Sequence, residues 1–438
     1  MSKAGPDHAR SPLKVALTAA AGAAIEWYDF FIYGTAAALV FPTLFFPADI
    51  PPVAAQIAAF STFAVGFVAR PVGGMLFGHF GDLFGRKRAL VTALILMGLS
   101  TAAIGMLPSY AQAGVLAPIL LVALRFAQGL AVGGQWGGAA LLAIESAPPC
   151  RRGLYGSFVQ IGVPLGVVLA NTAFLVIGAT MPQADFLSWG WRVPFLLSLA
   201  LVGIGLYVQL RLEESAEFDA VRVAPQAPRR SPILAVLRSH PRQILLAGGA
   251  FVANTTCFSV TITYAVAYGT ATLGISRNVM LGGVMIASAL MIPVLILCGL
   301  LSDRVGRLRP FLWGAVLAGI WAFAFFPLIE TRAVLAIGLS IMVQLGFLSL
   351  MYGPQAALFA ELFPVELRYS GASLGYQLGA VLGGGMAPII ATALQARFES
   401  SFAIAVYLFT MCAVSFFCTL ALRRHALPTQ PRTAAASR

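Results

Sequence analysis

Twelve long apolar stretches run through this chain of 438 residues, at roughly 14–41, 54–80, 88–107, 111–142, 153–181, 190–211, 243–272, 278–301, 310–328, 333–359, 368–395 and 400–422. Each has the ~20 residues that an α-helix needs to cross ~30 Å of hydrocarbon. Membrane-spanning β-strands would be about half as long and would alternate apolar with polar side chains. Lipid offers a backbone no water to bond, so spans of this length must be helices that satisfy their own peptide groups. The sequence therefore predicts an all-α membrane protein with twelve transmembrane helices. Hydrophobic residues make up 59% and charged residues 10%, where soluble domains carry about 25% charged. Mean hydropathy is +0.87. A soluble enzyme, a disordered chain and a small disulfide scaffold are excluded.

Lysine and arginine number 28 against 16 acids, a net charge of +12. In a soluble chain this excess would suggest nucleic acid as a partner. Here it sorts by side. With the N-terminus inside, the inner connections and both tails hold 22 Lys and Arg residues. The outer connections hold Arg277, Arg332 and Arg397, with Arg192 at a span edge. That bias predicts an inner (plasma) membrane protein with both termini cytoplasmic, and no nucleic acid partner. The first span is not expected to be a cleaved signal peptide, because only four residues separate Lys14 from Ala19-Ala20-Ala21. No Cys or His has metal-ligand spacing, so neither a metal nor a disulfide framework is expected.

Two motifs occur twice. Gly78-x3-Asp82-x2-Gly85-Arg86-x-Arg88 returns as Gly299-x3-Asp303-x2-Gly306-Arg307-x-Arg309, 221 residues on. Glu145-x2-Pro148-x3-Arg152-x4-Ser157 returns as Glu361-x2-Pro364-x3-Arg368-x4-Ser373, 216 residues on. Nearly equal offsets predict two parallel six-helix pseudo-repeats. The expected organisation is a cytoplasmic tail (1–13), a first bundle (14–211), a polar linker (212–242), a second bundle (243–422) and a second cytoplasmic tail (423–438). Parallel repeats of this kind place a transport site between the halves near the bilayer midplane. A carboxylate at a helix end facing Arg on the adjoining turn reads as a cytoplasmic latch: Asp82 with Arg86 and Arg88, Asp303 with Arg307 and Arg309, with Glu145, Arg152, Glu361 and Arg368 beside them. The alternative is that these arginines only fix topology.

The repeated Gly-x3-Asp-x2-Gly-Arg loops resemble the signature of the major facilitator superfamily. Further strings resemble its metabolite:proton symporter branch: Glu26-Trp-Tyr-Asp-Phe-Phe-Ile-Tyr33, Arg70-Pro71 before Phe77-Gly78-His79-Phe80-Gly81-Asp82, Arg125-Phe-Ala-Gln128-Gly129, Trp189-Gly-Trp191-Arg192 and Glu361-Leu-Phe-Pro364. The resemblance covers essentially the whole chain. It implies the twelve-helix fold of that superfamily and proton-coupled import of small polar metabolites, with carriers for shikimate, 2-oxoglutarate, citrate and proline/betaine in the branch. The branch commonly has Glu where Gln135 stands. Gln cannot titrate, so the proton falls to Glu26 or Asp29, or the carrier is not proton-coupled.

Glu26 and Asp29 are acids deep in an apolar span, where a carboxylate costs on the order of 2.5–3.5 kcal/mol on insertion scales. Desolvation favours a protonated carboxyl and a nearby guanidinium favours the carboxylate, so surroundings can tune proton handling. Glu26, Asp29, Phe30 and Tyr33 share one helical face. Arg125 is, by this count, the one basic residue near mid-span, at about the depth of Glu26. It is expected to pair with Glu26 or Asp29, or to grip a substrate carboxylate bidentately. Gln128, Gln135 and Trp136 share roughly its face. Tyr33 is a candidate substrate contact beside them, and Gln160, Asn254, Tyr264, Gln344, Tyr376 and Gln377 are further ones, though each of these six alone also reads as a helix–helix hydrogen bond. Arg70 reads as a snorkelling or gate-pairing residue near the inner end of its span.

One Arg and two acids suit a small monocarboxylate or a zwitterion better than a tricarboxylate. The expectation is a monomeric carrier, not an enzyme, that imports a shikimate-like organic acid with protons by alternating access, using no cofactor beyond the coupling proton. A betaine carrier, a uniporter and a drug:proton antiporter are the rival readings.

Overall fold

Helix accounts for nearly all of the described chain, as the absence of water in hydrocarbon demands. The protein is represented by a computed structural model that describes residues 12–84, 86–133, 140–141, 143–145, 147–211, 232–364 and 367–423. Twelve principal helices follow in order: α1 (Pro12–Leu39), α2 (Pro52–Phe84), α3 (Arg86–Gly105), α4 (Leu116–Val132), α5 (Arg152–Thr180), α6 (Val193–Arg211), α7 (Pro241–Thr272), α8 (Arg277–Val305), α9 (Leu308–Glu330), α10 (Val334–Glu361), α11 (Arg368–Phe398) and α12 (Ser401–Leu422). Large apolar side chains such as Leu99, Ile119, Trp313, Leu335 and Phe417 point outward. That suits a surface bathed in lipid.

The fourth span departs from the expected 111–142. Ser109 starts a one-turn helix, Tyr110–Ala113, and Gly114 at φ 57° ends it before α4 begins. Only glycine takes that left-handed turn without strain. Two other helices are less regular than their hydropathy suggests. α7 contains π-turns at Val260–Tyr264 and Tyr268–Thr272, and α11 contains one at Ala380–Gly385. Such turns insert a residue into the helical ladder, swing the following face around, and are frequent at functional sites.

Helix packing repeats with an offset of six. α1 lies along α5 as α7 lies along α11, α2 along α4 as α8 along α10, and α3 along α6 as α9 along α12. The halves meet where α5 runs along α8, and where α2 touches α11, α5 touches α10 and α1 touches α7. Within the first half, α2 and α4 cross at glycines. A Cβ at Gly129 would lie 2.8 Å from Ala69 Cβ. This close crossing brings the side chains of Arg70 and Arg125 into one layer.

Candidate functional site

Four charged side chains are buried among the described residues: Glu26 and Asp29 on α1, Arg70 on α2 and Arg125 on α4. All belong to the first half. The buried polar side chains of α10 and α11 are uncharged, among them Gln344, Tyr352, Gln355, Tyr376 and Gln377. Charge is thus concentrated on one side of the junction, with phenols and amides on the other.

Arg125 is held entirely by its own half. Its Nη1 donates to Gln128 Oε1 one turn further along α4. Its guanidinium lies over the rings of Tyr33, Phe30 and Phe63 at 4.1, 4.3 and 5.0 Å. Gln128 donates to Thr101 Oγ1 at 2.8 Å and to the Asp29 carbonyl at 3.1 Å. Tyr33 donates to Thr62 Oγ1 at 2.7 Å. Thr101 in turn donates to Asp29 Oδ2 at 3.2 Å, while Oδ1 has no hydrogen-bond partner. The expected direct pairing of Arg125 with an acid is not found. The ion pairs among the described residues lie at Arg307 and Arg368, and a neutral relay through Gln128 and Thr101 separates Arg125 from Asp29. The physical reason is rotation along α1. Asp29 turns toward α3, so that the shared face of Glu26, Asp29 and Tyr33 serves three different neighbours.

Arg70 corrects the sequence reading most sharply. It is 1% exposed and does not snorkel. Its guanidinium lies 4.3 Å from the Phe30 centroid, 4.7 Å from Phe67 and 5.1 Å from Trp27. Phe30 therefore sits between two guanidinium groups, each at 4.3 Å. Glu26, and the neutral phenols of Tyr376 and Tyr352 across the junction, lie within electrostatic range of Arg70. Glu26, at 6% exposure, shares the same electrostatic neighbourhood. Arg70, Phe63, Phe67 and Thr101 were not singled out as site residues from sequence. The signal was present on α2, where Phe63, Gly66, Phe67 and Arg70 fall at three- and four-residue spacing on one face.

Other candidates divide between the junction and the interior of a half. Gln160 crosses the junction, donating to Gln355 Oε1 at 2.9 Å and to the Tyr352 carbonyl at 3.3 Å. Gln377 crosses it to the Gly133 carbonyl at 3.3 Å. Asn254 instead bonds the Leu348 carbonyl inside the second half, and there Tyr264 stacks on Tyr268 and meets Phe326 edge to face. Tyr376 stacks on Phe251 at 4.6 Å. The side-chain amide of Gln344 is buried with neither its nitrogen nor its oxygen paired. Gln135 and Trp136 lie outside the described residues.

The arginine-rich end joins the halves by charge. Asp303, at the end of α8, accepts from the amides of Gly153 and Leu154 at 2.8 and 2.9 Å. These begin α5, whose first amides have no partner within the helix. Arg307 pairs with Asp303 at 2.5 Å and with Glu361 at 3.3 Å. Glu145 pairs with Arg368 of the opposite half at 3.7 Å rather than with Arg152 of its own repeat. Arg88 and Arg309 are exposed, and Arg309 joins no ion pair among the described residues. The side chains of Asp82 and Arg86 lie outside the described residues. At the opposite end, Arg277 of α8 reaches the Gly178 carbonyl of α5 at 3.4 Å and covers Phe186 at 4.0 Å. Side chains of α8 therefore hold α5 at both ends.

Comparison with known proteins agrees with this architecture. The family model described as Major Facilitator Superfamily matches residues 19–374. The chain is 43% identical to the Inner membrane metabolite transport protein YhjE of Escherichia coli K12, covering 93% of each chain. It is 40% identical to the Shikimate transporter of the same organism, covering 94% of each. It is 34% identical to the Escherichia coli Proline/betaine transporter, over 97% of this chain and 86% of that one. Among solved structures, that of a D-xylose-proton symporter superposes with a TM-score of 0.73 at 20% identity, covering 97% of this chain and 100% of the other.

Proposed function

Because the chain belongs to the Major Facilitator Superfamily, and is a membrane transporter, we propose that it imports a small monocarboxylate together with one proton by alternating access, with Glu26 as the proton carrier. The balance of buried charge carries this reading. With all four groups ionised, Arg70 and Arg125 offset Glu26 and Asp29, and the core has no net formal charge. Protonating Glu26 leaves one positive charge, which a single carboxylate cancels. A core that is neutral both empty and loaded avoids carrying net charge through a medium where each ion is costly. Glu26 suits the role because it lies near Arg70 at the junction, whereas Asp29 is enclosed by Thr101 and Gln128.

A betaine-type zwitterion fits less well. It would leave the protonated core charged, and the rings best placed to face its ammonium group, Trp27, Phe30 and Phe67, already cover Arg70. The shikimate transporter among the relatives makes a hydroxylated cyclic acid the first compound to test. The distribution of Lys and Arg and the inner-membrane relative support an inner-membrane location with the arginine-rich end in the cytoplasm.

The test is uptake of labelled shikimate into proteoliposomes under an imposed pH gradient. One monoanion moving with one proton is electroneutral, so each pH unit drives about tenfold accumulation, whether or not the membrane potential is clamped to zero. A protonophore under that clamp abolishes accumulation. Full accumulation after the proton gradient has collapsed, or accumulation that follows the potential, rejects the reading.

A further inference from the structure

Both central arginines leave the same edge unpaired. Nε and Nη2 of Arg70, and Nε and Nη2 of Arg125, are buried without a hydrogen-bond partner. Those two nitrogens form the side of a guanidinium that offers parallel N–H donors to a carboxylate. Leaving such donors buried and unpaired is costly, so each edge is a place where an anion would be bound strongly. The two edges differ in what surrounds them.

Arg125 is enclosed by Gln128, Tyr33, Phe30 and Phe63, all of the first half. Arg70 lies at the junction. Phe67, one turn before it on α2, is seated against α11, where a Cβ on Gly385 would stand 3.2 Å from Phe67 Cβ. Tyr352 of α10 and Tyr376 of α11, both neutral phenols, are near enough to Arg70 to interact with it electrostatically. Aromatic rings cover the faces of its guanidinium, and the edge is the part that they leave without a partner.

We propose that Arg70, rather than Arg125, takes the carboxylate of the transported compound on its Nε–Nη2 edge, with Tyr352 and Tyr376 closing the opposite side of that compound. An anion held there touches both halves, so its arrival favours their closure around it. An anion on Arg125 would be held by one half and would give the other no reason to move. Arg125 then supplies the second positive charge of the core and, with Arg70, fixes Phe30 between two guanidinium groups. The assignment rests on carboxylate transport as the function, and the following experiment separates failure of one from failure of the other.

Purified protein in nanodiscs is titrated with shikimate, 3-hydroxybutyrate and glycine betaine, each beside its methyl ester, which keeps the shape and removes the carboxylate charge. Wild type is expected to prefer the best-bound acid over its ester by about a hundredfold, the scale of two charge-assisted hydrogen bonds. Arg70→Gln is expected to bring acid and ester within about threefold of each other, because the ester never used the lost donors. Ester binding by Arg70→Gln also shows that the variant is folded. Arg125→Gln weakens acid and ester alike and keeps most of their ratio. A ratio retained in Arg70→Gln overturns the assignment, and a ratio lost only in Arg125→Gln transfers the carboxylate to that residue. Should Arg70→Gln fail to fold, Arg70→Lys is measured instead. Lysine keeps the charge without the two-donor edge, so a ratio reduced about tenfold supports the assignment and an unchanged one overturns it. Binding of betaine alone rejects the monoanion reading while leaving the Arg70 test valid. A wild type that binds none of the three overturns both.

Discussion

Removing the carboxylate of Asp303 should open the arginine-rich end, and hydrogen exchange can read that opening at two identified amides. Gly153 and Leu154 are the second and third residues of α5, and their N–H groups donate to Asp303 at 2.8 and 2.9 Å. A hydrogen bond to a charged group contributes ~1.5–3 kcal/mol. An acid at a helix N-terminus adds ~0.3–1 kcal/mol through the helix dipole. Water takes over part of both interactions when the latch opens, so we expect Asp303→Ala to cost about 3 kcal/mol of latch stability rather than the full sum. That corresponds to over a hundredfold faster exchange at these two amides, at 1.4 kcal/mol per tenfold. Asp303→Asn keeps one acceptor oxygen and should give an increase of about tenfold. The assay is hydrogen–deuterium exchange followed by mass spectrometry on peptides covering 150–158, with the interior of α9 as an unaffected reference. Exchange at Gly153 and Leu154 within about threefold of wild type in the Ala variant would refute the reasoning, because it would mean that the carboxylate does not hold α5.

Three further outcomes are expected. Glu26→Gln should abolish accumulation driven by a pH gradient while preserving exchange of labelled for unlabelled shikimate across proteoliposomes. Equal loss of both would make Glu26 a structural residue. In Gly66→Ala the new Cβ would stand 2.8 Å from Arg125 Cζ. Overpacking of this kind costs ~1–3 kcal/mol, visible as a lower melting temperature and weaker acid binding, and an unchanged thermogram would show that Arg125 is free to move aside. Glu145→Ala removes a 3.7 Å pair whose acid is half exposed. Surface pairs contribute ~0–1 kcal/mol, so its melting temperature should stay within about 2 °C of wild type, and a larger drop would give that pair an unexpected structural weight.

Which parts of the site were legible followed from how local their causes are. Asp303 and Arg307 were readable because a polar motif recurring at a helix end within an apolar chain has few other uses. Glu26 and Asp29 stood out for the same reason. Their partners did not. The sequence places Glu26, Asp29 and Tyr33 on one face, yet that face is wide enough to meet Arg70, Thr101 and Thr62 in turn. Arg70 was misread. Its burial comes from the rings of Trp27, Phe30 and Phe67 on two helices, which the position of Arg70 along its own span does not reveal. Glu145 was readable as a gate residue but its partner was not, since the packing of the halves supplies Arg368 from the other one.

Twelve helices, two repeated halves and a carrier's charge distribution were all determined by the sequence itself. Hydrocarbon allows a backbone few solutions, and each leaves its period and its length in the chain. The three-dimensional packing decided which charges share a layer. Arg70 and Arg125 meet around Phe30 because glycines let α2 and α4 cross closely, and Phe67 beside Arg70 meets Gly385 because two halves separated in sequence pack on one another. Those distances depend on rotation and crossing angle, which hydropathy leaves open, and they are what gather scattered buried charges into one cluster.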